Sequence, residues 1–128
     1  MDKVKIHLEF LLNDTAKQVL WTAISTPAGL EHWFANEITV KDKVFTFRWS
    51  KDEERSAEIL NNRIYSFIRF HWLDDENPRG YFELKMSQDE MTNAFVLEIN
   101  DFAAEDEVED MEELWTSQVA KMRRVLGL

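Results

Sequence analysis

Histidine is the residue in this sequence best suited to acid–base or metal chemistry near neutral pH. The chain has three, His7, His32 and His71, which lie far apart in sequence. No two of them have the spacing of a metal-binding helix or hairpin motif. We therefore predict that they are ordinary surface or boundary residues and that they hold no metal. A general-base role stays open for His71 if a partner covers its face of the protein.

A dense acidic segment is the second candidate for chemistry, because seven of the nine residues from Glu105 to Glu113 are acidic. Carboxylates in the first turns of a helix are stabilised by its positive end, each by roughly 0.3 to 1 kcal/mol. A calcium loop would need a glycine that lets the chain wrap around the ion, and this segment has none. The segment therefore predicts the start of a helix and no metal site.

Covalent and nucleotide chemistry find little support in the composition. The chain contains no cysteine, and its three glycines, Gly29, Gly80 and Gly127, form no phosphate-binding loop. The serines lie in no elbow or loop of the kind that exposes a nucleophile beside a base. We expect no catalytic residue and no cofactor, although an enzyme acting on a hydrophobic substrate stays open as a third alternative.

The net charge of the protein limits which partners it is expected to bind. Fifteen basic and 25 acidic residues give a formal charge of -10, which repels nucleic acid and anionic membrane surfaces at long range. The 128 residues suit a single domain, 1-128. No apolar run is long enough for a signal or a membrane span. We expect a cytoplasmic protein that binds no nucleic acid and does not insert into membranes.

Hydrophobic periodicity outlines the elements that must position any site. Alternating apolar side chains predict a first strand over Lys3 to Leu11. Thr15, with Gln18 three residues later, has the pattern of a capping box and predicts a helix that ends before Pro27. Thr26 then predicts a cap for a second, short helix. The large apolar residues of that short helix are Leu30, Trp33 and Phe34.

The middle of the chain predicts six strands, with turns at Asp42-Lys43, at Asn61-Asn62 and over the loop from Asp74 to Gly80. The strand-like segments are Ile38 to Val40, Val44 to Trp49, Arg55 to Leu60, Ile64 to Leu73, Tyr81 to Ser87 and Asn93 to Phe102. From Val108 to Leu126 the spacing of apolar residues becomes helical, which predicts one long amphipathic helix.

These elements favour an α+β fold in which a curved antiparallel sheet of about seven strands wraps around the long C-terminal helix. Two short helices follow the first strand. Large aromatic side chains alternate toward one interior. They are Trp33, Phe34, Phe45, Phe47, Trp49, Phe70, Trp72, Phe82, Phe95 and Trp115. Such rings either fill the core or form the wall of an apolar pocket, and the pattern alone leaves both open.

Four stretches of the sequence resemble the START-like (SRPBCC, helix-grip) superfamily, most closely the branch of chaperone-ATPase-activator homologues (AHSA-type). They are LWTAISTPAGLEHWF (Leu20 to Phe34), FTFRW (Phe45 to Trp49), IRFHW (Ile68 to Trp72) and LWTSQVAKMRRVL (Leu114 to Leu126). Members of this superfamily carry lipids, hormones or polyketides between the sheet and the last helix. Catalytic members place acids, bases or tyrosines on inward positions, whereas the inward positions here are almost wholly apolar.

The resemblance implies a small hydrophobic or amphipathic ligand in a cavity between the sheet and the C-terminal helix. The residues expected to line that cavity are Trp33, Phe34, Phe47, Trp49, Ile59, Phe70, Trp72, Phe82, Leu84, Phe95, Leu97, Trp115, Val119 and Met122. The alternative is a ligand-free protein-interaction module or homodimer, similar to a co-chaperone. It would use apolar residues on the opposite face of the sheet, namely Tyr65, Phe67, Tyr81 and Val96.

Overall fold

The computed structural model describes residues 3–13 and 15–128. Its strands are β1 (Lys3–Leu11), β2 (Glu37–Lys41), β3 (Val44–Ser50), β4 (Glu53–Arg63), β5 (Phe67–Trp72), β6 (Phe82–Gln88) and β7 (Phe95–Ala104). Its helices are α1 (Lys17–Ser25), α2 (Pro27–Leu30) and α3 (Val108–Leu126), and a single 3-10 turn (Glu105–Glu107) leads into α3. The predicted order of one strand, two short helices, six strands and a long helix is confirmed.

All seven strands form one antiparallel sheet in the order β1-β7-β6-β5-β4-β3-β2. Strands β2 to β7 each pair with their neighbours along the chain, and β1 closes the order by pairing with β7. The helix α3 packs on β1 and β7 with Trp115, Val119 and Met122 buried. The predicted α+β helix-grip fold is therefore confirmed, with one face of the curved sheet turned toward α3.

The junction between α1 and α2 is fixed by three local features. The Thr26 side chain accepts a hydrogen bond from the Gly29 backbone N–H at 3.0 Å, and Pro27 occupies the first turn. A Cβ at Gly29 would lie 1.9 Å from the Thr22 carbonyl oxygen, so only glycine permits this close approach. The predicted cap at Thr26 is confirmed, but α2 ends at Leu30, so placing Trp33 and Phe34 on this helix is wrong. Both rings follow it in the turn at 31–34 and are buried in the interior.

The predicted capping box at Thr15 is wrong. Helix α1 begins at Lys17, its N-cap is Ala16, and no side chain caps it. The backbone N–H groups of Val19 and Leu20 bond to the Ala16 carbonyl, which places the first turn one residue later than the Thr15 pattern requires. A capping box satisfies the backbone only when its threonine is itself the N-cap residue.

Strand β4 runs further than predicted, and the expected turn at Asn61-Asn62 is wrong. Ile59 pairs with Phe70, but Asn61 pairs with Arg69, so Leu60 is an extra residue that forms a bulge. Beyond the bulge Asn62 and Arg63 continue the ladder, and the chain turns at 64–66 instead. Tyr65 has a φ of 62° in that turn. The predicted strand start at Ile64 therefore moves to Phe67.

Candidate functional site

The inner face of the sheet and α3 enclose a cluster of aromatic rings, which we call the aromatic wall. Its members are Trp33, Phe34, Phe45, Phe47, Trp49, Phe70, Trp72, Phe82 and Trp115. Phe34 lies at the centre, with ring centroids 5.0 Å from Phe47, 5.7 Å from Trp49 and 5.4 Å from Trp115. These separations are those of aromatic rings in direct contact. The α2 junction, strand β3 and helix α3 therefore meet at Phe34.

Phe82 carries the wall toward one end of the sheet. Its ring is stacked on Phe70 at 5.0 Å and on Trp72 at 4.9 Å. Trp72 and Trp49 are only partly buried, whereas the other rings of the wall are buried. The wall thus reaches the protein surface at these two tryptophans.

Backbone and side-chain acceptors hold three of the four indoles of the wall. The indole N–H of Trp33 donates to the Ala23 carbonyl at 2.8 Å, and that of Trp49 donates to the Phe34 carbonyl at 2.6 Å. The indole N–H of Trp115 donates to Asp101 Oδ2 at 2.9 Å. Each ring therefore has its polar edge satisfied and its orientation fixed.

Asp101 is the polar group on the inner face that the sequence analysis missed. It is 8% exposed, and it accepts hydrogen bonds from the Trp115 indole and from the Phe102 backbone N–H at 2.7 Å. Burial raises the pKa of the Asp101 carboxyl, although the two hydrogen bonds act in the opposite direction. The strand alternation that turns Leu97 and Ile99 inward also turns Asp101 inward, and this was the signal that could have found it.

A cleft of about 840 Å³ lies where the aromatic wall reaches the surface at Trp72. It is lined by Lys3, Arg55, Trp72, Asp74, Asp75, Glu76, Asn77, Arg79, Gly80 and Phe102. The cleft therefore joins aromatic surface to charges of both signs, a combination that suits an amphipathic molecule.

An ion pair lies across the aromatic part of this cleft. Arg55 donates to Asp74 through Nη2 at 2.7 Å and Nε at 3.0 Å, and its guanidinium carbon lies 3.9 Å from the Trp72 ring centroid. The Arg55 guanidinium lowers the pKa of the Asp74 carboxyl. Because Asp74 is exposed, this pair is held weakly and can open.

The loop that borders the cleft is tied to the sheet by His71. Its Nδ1 lies 2.7 Å from the Gly80 carbonyl oxygen, which can only accept, so Nδ1 carries the proton. The Gly80 backbone N–H also donates to the Asn77 carbonyl at 3.0 Å, which closes a turn within the loop. In this structure His71 therefore positions the loop from Asp74 to Gly80.

A second, smaller cleft of about 350 Å³ lies between α1, α2 and the end of α3. It is lined by Gln18, Val19, Thr22, Ala23, Ala28, Gly29, His32 and Leu126. None of the residues predicted to line the ligand cavity belongs to it.

The structure brings the predicted cavity residues into one buried cluster. Ring contacts join Trp33, Phe34, Phe47, Trp49, Phe70, Trp72, Phe82 and Trp115. The aliphatic members and Phe95 pack in the same core, and they are Ile59, Leu84, Leu97, Val119 and Met122. Of the whole predicted set, only Trp72 also lines the larger cleft, among the residues that the structure describes.

The sheet wrapped on a terminal helix, with its aromatic interior, defines a helix-grip domain. A family model of the START-like superfamily domain matches residues 1–128, so the chain belongs to the START-like superfamily. The resemblance predicted from sequence is confirmed. No curated protein matches the chain. Within the described residues, no helix is long and apolar enough to cross a membrane.

Several solved structures share this fold. A Bacteroides fragilis protein solved by solution NMR is 60% identical, with a TM-score of 0.69 over 100% of this chain and 94% of that one. The Aha1 dimer from Colwellia psychrerythraea is 10% identical, with a TM-score of 0.72 over 95% and 96%. DynU16, a putative protein of the dynemicin biosynthetic locus, is 12% identical, with a TM-score of 0.75 over 96% of this chain and 47% of that one. The last two likenesses concern the fold alone.

Proposed function

We propose that this domain binds a small hydrophobic or amphipathic molecule between the sheet and α3, with the aromatic wall as its apolar contact surface. The observation that carries the proposal is the continuity between this wall and the 840 Å³ cleft at Trp72. A ligand in the cleft would place its apolar part on Trp72 and its polar part among the charged side chains. The START-like fold, which often serves ligand binding, supports the same function.

Entry to the interior requires side chains to move, because the rings of the wall already contact one another. We infer that two features move to admit a ligand. They are the exposed ion pair between Arg55 and Asp74, and the half-buried Trp72 ring beneath it. Displacing them would let a ligand stack on Phe82, which lies 4.9 Å from Trp72. Burying about 200 Å² of apolar surface at roughly 25 cal/mol per Å² would contribute about 5 kcal/mol to binding.

The first test is native mass spectrometry of the protein isolated gently from its own host. We expect an adduct that is released on denaturation and can be analysed in the organic extract. A clean mass of the chain alone, reproduced across preparations, would count against a resident ligand. The oligomeric peak in the same spectrum tests the second candidate function described below.

A probe experiment locates the site. We expect 8-anilinonaphthalene-1-sulfonate to bind tag-free protein with a rise in fluorescence, and Trp72→Ala to weaken this binding at least tenfold. Met122→Trp, which adds bulk at a fully buried position beneath the wall, should abolish uptake. Met91→Ala is the control, because Met91 is 94% exposed on a distant loop. Unchanged binding by Trp72→Ala in a folded protein would place the probe elsewhere.

A homodimer without a ligand is the second candidate function, and two observations favour it. The similar Colwellia protein is described as a dimer, and the edge strand β2 is exposed along most of its length. The apolar residues expected on the outer face form no continuous patch, because a polar network that includes Glu83 separates Phe67 from Tyr81. Sedimentation at micromolar concentration tests this candidate, since a strict monomer would remove its main support.

A further inference from the structure

A chain of polar contacts crosses four neighbouring strands on the outer face of the sheet, away from the aromatic wall. Arg69 on β5 donates to Glu83 Oε2 on β6 at 2.9 and 2.7 Å. The Asn100 amide on β7 donates to Glu83 Oε1 at 3.0 Å, and its oxygen lies 2.7 Å from His7 Nδ1 on β1. Glu83 and Asn100, the two middle residues of this hydrogen-bond network, are each 5% exposed and are therefore held rigidly.

This network of hydrogen bonds fixes which nitrogen of His7 carries the proton. The Glu83 carboxylate, paired with Arg69, can only accept, so the Asn100 NH₂ group must face Glu83. The Asn100 carbonyl oxygen therefore faces His7 and accepts from Nδ1–H. In the neutral ring this leaves the lone pair on Nε2, which points away from the sheet network and lies 3.2 Å from Glu9 Oε1.

The Nε2 atom faces two carboxylates that oppose each other across the sheet. Glu9 on β1 pairs directly with Glu98 on β7, and like charges in this position destabilise a sheet. Lys85 lies 3.9 Å from Glu98, which is a long contact, and its side chain is 42% exposed. The site therefore combines excess negative charge with a nitrogen that offers a lone pair when His7 is neutral. Either a proton on Nε2 or a bound metal ion would relieve this charge, so the two compete for the same atom.

We propose that His7 Nε2, Glu9 and Glu98 bind a divalent transition-metal ion of the zinc type on the outer face of the sheet. The donor atoms of these three side chains lie within 4.8 Å of one another. Two ligands of a tetrahedral zinc ion are about 3.4 Å apart, given metal–ligand distances of about 2.0 to 2.2 Å. The 3.2 Å between His7 Nε2 and Glu9 Oε1 is close to that value. Water would complete the coordination.

The surroundings of His7 match what such a site needs beyond its direct ligands. A metal-binding histidine donates its other N–H to an oxygen that fixes the ring, and Asn100 does so here, held in turn by Glu83 and Arg69. The imidazole donor favours zinc or cobalt over calcium or magnesium, which prefer oxygen ligands throughout. Local sequence spacing does not reveal the site, because Glu98 reaches it only through the pairing of β1 with β7.

Calorimetric titration of tag-free, chelator-free protein with Zn²⁺ near neutral pH tests the proposal. We expect one ion per chain, and we expect His7→Gln and Glu98→Gln each to weaken binding at least tenfold. The controls His32→Gln and Glu90→Gln change an exposed histidine and an exposed glutamate outside the site and should bind as the parent does. Circular dichroism establishes that each variant is folded. Failure to bind Zn²⁺, or equal binding by folded His7→Gln, would overturn the proposal.

Nitrogen-15 spectra of the histidine rings add a readout that an unspecific surface ion would not give. We expect Zn²⁺ to shift the His7 Nε2 resonance while Nδ1 keeps its proton. Co²⁺ should broaden backbone signals around His7, Glu9 and Glu98 and leave those of the cleft at Trp72 unchanged. Coordination through Nδ1, or equal effects at all three histidines, would contradict the proposed site.

Discussion

At the scale of single residues, Asp101 shows how one carboxyl group can differ from the many on the surface. It lies on the inner face of β7, is 8% exposed and accepts a hydrogen bond from the Trp115 indole at 2.9 Å. Desolvation disfavours its charged form, and its hydrogen bonds offset only part of that cost. The ionisation of this one group is therefore coupled to the packing of α3 on the sheet.

The first prediction concerns that coupling. Because burial raises the pKa of Asp101 in the folded protein, the Trp115 indole N–H resonance should titrate with a midpoint above the usual range for aspartate. The unfolded chain loses this proton first as pH rises, so Asp101 should contribute stability below about pH 3.9 that is lost through the folded pKa. The Trp33 indole, bonded to a backbone carbonyl, provides the internal control in the same NMR titration. A Trp115 midpoint at or below the usual aspartate range would contradict the assigned environment.

His7 gives the second prediction. Its hydrogen bond to Asn100 and its contact with Glu9 raise the pKa of the imidazole. The Glu9→Gln variant should lower that pKa toward its ordinary value, because the neutral amide stabilises the imidazolium less. The raised pKa favours folding below about pH 6.5, and this contribution is lost as pH rises through the folded value. Proton NMR titration of the ring checks the shift. Glu90→Gln is the matched control, and an unchanged His7 titration in Glu9→Gln would contradict the contact.

At the scale of elements, the two short helices are positioned by the tight approach at Gly29, and this yields the third prediction. Gly29→Ala should reduce the free energy of unfolding by about 1 to 3 kcal/mol, because the added methyl group would lie 1.9 Å from the Thr22 carbonyl oxygen. The exposed neighbour Ala28 offers a control, and Ala28→Ser should change stability by less than about 0.5 kcal/mol. Denaturant unfolding measures both. Equal stability of the two variants would mean that the helix junction relaxes freely.

The elements also show why sequence predicts some features and misses others. Alternating apolar residues placed β3, β6 and β7 correctly, and helical spacing of apolar residues placed α3 correctly, because each of these elements buries one face along its length. The bulge at Leu60 was missed because an extra residue changes the phase of β4 without a glycine or proline to mark it. Asp101 was missed because polar residues were expected on the outer face. The pairing of Glu9 with Glu98 depends on register between distant strands, which local periodicity does not set.

At the scale of the whole molecule, the two sides of the sheet carry different chemistry. The inner face and α3 form an aromatic interior that opens at Trp72 into the larger cleft. The outer face carries the hydrogen-bond network that runs from Arg69 on β5 through β6 and β7 to His7 on β1. Because the strands separate the two faces, binding of an apolar ligand and binding of a metal ion can be tested independently. A variant that loses apolar-ligand binding should still bind the metal ion, and a variant that loses metal binding should still bind the apolar ligand.

The packing of the aromatic wall leads to the last prediction. Phe82 contacts Phe34, Phe70, Trp72 and Trp115 and is 1% exposed, so Phe82→Ala should lower the free energy of unfolding by about 3 to 5 kcal/mol. If neighbouring rings keep their positions, the new apolar cavity should bind benzene, which raises the melting temperature of the variant more than that of the parent. Phe67→Ala, at a half-buried ring on the outer face and outside both clefts, should cost less stability and gain no benzene response. A Phe82→Ala protein that loses little stability would mean that the interior rings repack easily, which is the behaviour that ligand entry between the sheet and α3 requires.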